Sequence, residues 1–203
     1  MTPFVSAIVL AAGSSRRLGK PKQLLPIGDT TILERTLDNV LDSRVNEVVL
    51  VLGYQAEKIA GVIAGRAVKV AVNLDYKKGM SAAIKLGLSL IDENTHGIML
   101  VLADQPFVDG KTINRLLESF SVSDKDIIAP TYHGQMGHPV VFSAGYRQEL
   151  LALEGDVGGR EIMARHPGKV REVPVDCEGV VLDIDTPDAY HIACQKLRGE
   201  GDN

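Results

Sequence analysis

An apolar run, Val5 to Leu10, passes without a polar break into Ala11-Ala12-Gly13-Ser14-Ser15-Arg16-Arg17-Leu18-Gly19-Lys20-Pro21-Lys22-Gln23. A run of this length with no polar alternation reads as a strand buried on both faces, which is the habit of parallel sheets. Small residues and glycine then let backbone N–H groups approach an anion, and Arg17 and Lys22 can neutralise phosphate charge. The order of strand, small-residue loop and cations therefore predicts a phosphate site at the end of a parallel strand. Two familiar loops are excluded by spacing. Five residues separate Gly13 from Gly19 where a Walker loop has four, and Pro21 follows Lys20 where that loop needs Ser or Thr for magnesium. No G-x-G-x-x-G occurs, so the dinucleotide fingerprint is absent.

Downstream, strand-like and helix-like segments alternate. Thr30 or Thr31 can cap a helix carrying Ile32, Leu33, Leu37, Val40 and Leu41, and Glu47 to Gly53 is a second buried strand. Tyr54 to Ala64 reads as a helix, Ala67 to Val72 as a strand, Met80 to Ile91 as a helix and Gly97 to Leu102 as the most hydrophobic strand. Lys111 to Phe120 is helical, followed by strands at Asp126 to Pro130 and Val140 to Phe142 and short helices at Arg147 to Leu153 and Gly159 to Arg165. Val170 to Val175 and Val180 to Asp185 read as strands, and Thr186-Pro187-Asp188 opens the last helix. The pattern predicts an α/β fold: one three-layer domain over residues 1–203, with a mostly parallel central sheet and a frayed tail.

Composition sets limits on function. With 22 cations against 26 anions, a net charge of −4, the chain has no basic excess for nucleic acid. No apolar run approaches the roughly 20 residues that span a bilayer, and no basic leader precedes a long apolar stretch, so a cytoplasmic protein without membrane contact is expected. Cys177 and Cys194 form no C-x-x-C pair, which argues against a zinc site or redox dithiol.

Ligands of open α/β sheets bind at the carboxyl ends of the strands. Gly13 and Asp104 both follow strands that end there, so they should share a crevice. A carboxylate fixed at a strand end beside a phosphate loop suits Mg²⁺, which prefers one or two carboxylates plus phosphate oxygens. Asp104 would otherwise cap a turn. Asp183 and Asp185 offer a second ligand. Asp185, next to the capping Thr186, is preferred, with Asp183 as a supporting acid. A histidine held by proline, Gly137-His138-Pro139, and a backbone-rich turn, Gly155 to Arg160, suit contact with a polar second substrate, though His138 could equally be a solvated turn residue.

These motifs together resemble the molybdenum cofactor cytidylyltransferase family, within the Rossmann-like nucleotidyltransferases. The resemblance rests on the L-A-A-G loop with P-K-Q, Gly79-Met80-Ser81 after Asn73, Asp104-Gln105-Pro106, Gly137-His138-Pro139-Val140, Gly155-Asp156-x-Gly-Gly-Arg160 and the terminal D-I-D-T-P. Leu18 stands where methionine is usual, and Gly159 where alanine is common. The resemblance implies nucleotide contacts at Leu10, Ala11, Ala12, Gly13, Arg17, Lys22, Asn73, Gly79, Ser81 and Asp104, with Arg17, Lys22 and Asp104 catalytic. It implies acceptor contacts at His138, Asp156 and Arg160, and a Mg²⁺ site, for which Mn²⁺ could substitute, at Asp104 and Asp185. The implied reaction is CMP transfer from CTP to a molybdopterin-type substrate, with transient contact to molybdoenzyme maturation proteins. Ala12 implies cytosine over guanine, because its methyl group narrows the base pocket, with Gln105 or Ser81 adding to the preference. Two alternatives stand beside this reading: a cytidylyltransferase of sugar or polyol phosphates, and a non-catalytic nucleotide-binding accessory protein.

Overall fold

The structure, a computed structural model, describes residues 2–15 and 18–200. Strand β1 (Val5–Ala11) is the hub: it pairs in parallel with β4 (Glu47–Leu52) on one side and with β6 (Gly97–Leu102) on the other. The register sets Leu10 beside both Val51 and Leu102, so the three strands finish at one edge. Between β1 and β4 lie a short hairpin, β2 (Pro26–Ile27) and β3 (Thr30–Thr31), and helix α1 (Ile32–Leu41). Thr31 and Glu34 close a reciprocal capping box at the start of α1, satisfying two of its free N–H groups.

After β4 come α2 (Ala56–Val62), β5 (Lys69–Val72) and α3 (Met80–Leu88). The second half adds α4 (Gly110–Val122), β7 (Ile127–Tyr132), β8 (Gln135–Met136), β9 (Val140–Ser143), α5 (Arg147–Ala152), α6 (Gly159–Arg165), β10 (Val170–Pro174) and α7 (Pro187–Glu200). The main sheet runs β10-β7-β9-β6-β1-β4-β5, with β8 attached to β7. Only β9 runs against its neighbours in that path, so the sheet is mostly parallel, as the apolar runs predict. Leu33 and Leu37 of α1, Ile59 of α2 and Ile113 and Leu116 of α4 pack on one face; Ile84 and Leu88 of α3, Leu150 of α5 and Ile162 of α6 pack on the other. Helices on both faces are what permit strands as predominantly apolar as β1 and β4.

The segment expected as a strand at Val180 to Asp185 is different. Glu178–Val181 is a 3₁₀ turn, and Leu182 to Asp185 is irregular and does not join the sheet. Its backbone groups are taken by loops instead: Val180 O accepts from His138 N at 2.9 Å, and Ile184 N donates to Asp104 O at 3.1 Å. Several helices also begin or stop earlier than the apolar spacing suggests, α3 ending at Leu88 rather than Ile91. Among the described residues, no helix is long and apolar enough to cross a membrane.

Candidate active site

Lys22 opens a 3₁₀ turn, Lys22–Leu24, that returns the chain beneath the loop following β1. Its Nζ donates to the carboxylate of Asp104, just beyond β6, and to Asp185 Oδ1 at 2.6 Å. The bond from Ile184 N to Asp104 O fixes the two acid-bearing segments side by side, so residues far apart in sequence converge on one ammonium. Asp183 is held separately, accepting from Gln105 Nε2 at 2.8 Å.

Burial alone would lower the pKa of Lys22, but the charges and hydrogen bonds of Asp104 and Asp185 prevail and hold it above the ordinary lysine range. Asp104, only 9% exposed, is pushed up by burial and by the charges of Asp183 and Asp185, against the pull of Lys22. A further cation beside this carboxylate would relieve both causes. The donor set fits a hard divalent ion, since two carboxylates already converge on a cationic position. Among the described residues no group of three or more His, Cys, Asp or Glu side chains could hold a metal unaided, so substrate phosphates and water would complete its shell.

The cluster lies in a crevice of about 1400 Å³ at the carboxyl edge of the sheet. Leu10, Ala12, Gly13, Lys22, Gly79, Asp104, His138, Asp156, Arg160, Asp183 and Asp185 line it, together with Gln23, Tyr54, Tyr76 and Met80, to which the sequence assigned no contact. Ala11 is buried beneath the loop. Asn73 and Ser81 face an adjoining depression of about 710 Å³ with Lys78 and Lys85. Asn73 Oδ1 accepts from Asp75 N, and Ser81 N donates to Gly155 O, so both residues brace the loops around α3 beside the crevice. Gln105 also turns away from the crevice, its amide bonding Val180 O and Asp183, so it is not placed to read a base. Arg17 lies outside the described residues.

On the far wall His138 is 9% exposed rather than solvated, and its Nδ1 is buried without a hydrogen-bond partner. Burial, then the charge of Arg160, lower its pKa to about 4, although Asp104 pulls the other way, so the imidazole is neutral near pH 7. Asp156 Oδ1 accepts from Met80 N at 3.1 Å, setting a carboxylate at the positive end of α3. This contact is possible because Gly79, at φ +96°, has no Cβ: one there would stand 2.5 Å from the backbone of Gly155. The 154–158 loop thus seats on the start of α3 and brings Arg160 over the crevice.

Residues 7–170 match the family model for the MobA-like NTP transferase domain. Nicotine blue oxidoreductase of Paenarthrobacter nicotinovorans is 31% identical over 91% of this chain and 93% of its own. Molybdenum cofactor cytidylyltransferase of Escherichia coli K12 is 26% identical over 95% and 96%. The crystal structure of Rv0371c from Mycobacterium tuberculosis H37Rv has a TM-score of 0.87 at 35% identity, covering 96% of this chain and 99% of its own. A complex of Rv0371C with manganese, from the same organism, has a TM-score of 0.81 at 34% identity, covering 95% and 98%.

Proposed function

The chain belongs to the MobA-like NTP transferase family, and we propose that this nucleotidyltransferase transfers CMP from CTP to the terminal phosphate of molybdenum-bearing molybdopterin, releasing pyrophosphate. The observation that carries the reading is the convergence of Lys22, Asp104 and Asp185 at the mouth of the loop after β1. The Ala12 methyl group and the similarity to a named cytidylyltransferase support cytosine as the base.

In the proposed reaction an acceptor phosphate oxygen forms a bond to the α-phosphorus of CTP as the bond to the β-phosphate oxygen breaks. The attacking group is already anionic, so no general base is required. Positioning and charge neutralisation supply the acceleration. The loop backbone from Leu10 to Gly13 surrounds the nucleotide, and Lys22, with Arg17, neutralises phosphate charge. Asp104 and Asp185 would hold Mg²⁺ or Mn²⁺, whose chemistry is to polarise phosphoryl oxygens. A manganese complex of a relative supports that assignment. Neutral His138 and cationic Arg160 face the acceptor, and Asp156 seats the loop that carries Arg160. A cytoplasmic setting and hand-over to maturation proteins complete the proposal.

One relative bears an oxidoreductase name. The acid–lysine cluster and the absence of a dinucleotide fingerprint favour phosphate chemistry for this chain. The test is pyrophosphate release from CTP and Mg²⁺ with molybdenum-bearing molybdopterin, beside a panel of sugar and polyol phosphates and beside GTP. Release with the molybdopterin acceptor and CTP is expected. Release only with the panel would overturn the acceptor, and no release with any pair would overturn the activity.

A further inference from the structure

Gln23 carries a polar end into a site where an apolar side chain of the same size would pack with no hydrogen bond to satisfy. It is 1% exposed. Its Nε2 donates to Ala11 O at 2.9 Å and to Gly13 O at 3.3 Å, and its Oε1 is buried with no hydrogen-bond partner. Two carbonyl neighbours oblige the NH₂ end to face them, which leaves the oxygen stranded. Burying an unpaired acceptor is unfavourable for folding alone, and such broken local rules concentrate at functional sites.

The consequence of the two bonds appears on the opposite side of each peptide group. In a trans peptide the N–H points away from the C=O, so fixing Ala11 O and Gly13 O toward Gln23 turns the N–H groups of Ala12 and Ser14 the other way. Among the described residues, no protein acceptor meets the N–H of Gly13 or Ser14. Ala12, Gly13 and Ser14 all line the crevice. The same 3₁₀ turn is fastened to the loop a second time, by Lys22 N donating to Ser15 Oγ at 3.0 Å. One turn therefore fixes the loop's peptide planes and, at the preceding residue, the cation between the two acids.

We propose that Gln23 is a positioning residue of the nucleotide loop, setting the peptide orientation in which its N–H groups meet the phosphates of a nucleoside triphosphate. The proposal rests on the nucleotidyltransferase reading above. Its test is equilibrium binding of CTP with Mg²⁺ to wild type, Gln23→Met and Gln23→Glu, each with a thermal melt. Methionine keeps the bulk without the donors, and its CTP Kd should rise tenfold or more while the KM for the acceptor stays within twofold. Glutamate sets a carboxylate against two carbonyls at pH 8 and regains one donor when protonated, so its Kd relative to wild type should improve toward pH 5. A folded Gln23→Met protein binding CTP within twofold of wild type overturns the proposal. Should that variant not fold, the proposal falls if the Gln23→Glu ratio does not change between pH 8 and pH 5. Wild type that binds neither CTP, GTP nor ATP would overturn the underlying functional reading, whereas normal wild-type binding with insensitive variants overturns the clamp alone.

Discussion

Lys22 answers to two acids at once, so removing its ammonium takes a donor from both Asp104 and Asp185 and a positive charge from the proposed phosphate path. A charge-assisted hydrogen bond is worth about 1.5–3 kcal/mol, and a decade in rate about 1.4 kcal/mol. Lys22→Ala should therefore lower kcat/KM for CTP by roughly one to two decades while the divalent-ion requirement persists. Steady-state pyrophosphate release measures both, and a loss of twofold or less would remove the lysine from the phosphate site. His138 makes a different prediction, on stability. Its folded pKa of about 4 lies below the ordinary 6.5, so the neutral ring is favoured in the native state. The stability this represents is complete above pH 6.5 and is lost as pH falls through 4. A gap of about 2.5 pH units corresponds to about 3 kcal/mol. His138→Asn should therefore lose less stability than wild type between pH 7 and pH 4. Denaturant midpoints at the two pH values test this, and parallel losses would show that burial of the ring does not govern its titration.

The start of α3 depends on a loop that is distant in sequence, since Asp156 accepts from Met80 N and Gly155 O accepts from Ser81 N. One exposed capping carboxylate at a helix N-terminus contributes roughly 0.3–1 kcal/mol. In a chain of this size about 1 kcal/mol shifts the melting temperature by 2–4 °C, so Asp156→Ala should melt up to about 4 °C lower. Asp156→Asn, which keeps an acceptor, should lose less. Equal melting of Asp156→Ala and wild type would return Asp156 wholly to the solvent or to a substrate. Such contacts also mark the limit of what sequence patterning reveals. Runs such as Val48 to Leu52 and Gly97 to Leu102 announce buried strands because they hold no polar side chain, and Thr30-Thr31 before a helical apolar spacing announces a capped helix. The reversed direction of β9 leaves no trace in hydropathy. Val180 to Asp185 has the composition of a strand, but its partners are a loop carbonyl and a loop amide rather than a ladder. Gln23 was illegible for a related reason: a single buried amide has no period, and only the folded loop shows which carbonyls it grips. Asn73 and Ser81 sit close to the crevice in sequence terms, yet the turn of α3 gives them to its neighbour.

At the scale of the molecule, the parallel sheet gathers Lys22 from the first loop, Asp104 from the middle and Asp185 from near the last helix to one edge. Asp104 is already raised by burial and by Asp183 and Asp185, which places triphosphate binding in conflict with the local field unless a cation accompanies it. Lys22 is committed to the two acids, so the added phosphate charge requires a partner that the described side chains do not supply in full. CTP should therefore stabilise the fold with Mg²⁺ or Mn²⁺ and stabilise it much less in EDTA. A ligand at 100 times its Kd adds about 2.7 kcal/mol, which for a domain of this size is roughly 5–11 °C in melting temperature. Melts with CTP and metal, CTP and EDTA, and metal alone separate the contributions. Metal alone should shift the midpoint little, because two carboxylates already neutralised in part by Lys22 hold a divalent ion weakly without phosphate oxygens. Asp104→Asn, which removes one of those carboxylates, should abolish the difference between the metal and EDTA arms while the unliganded protein still unfolds cooperatively. Equal stabilisation of wild type by CTP in the metal and EDTA arms would show that the acid pair serves Lys22 alone and that the nucleotide is held without an ion.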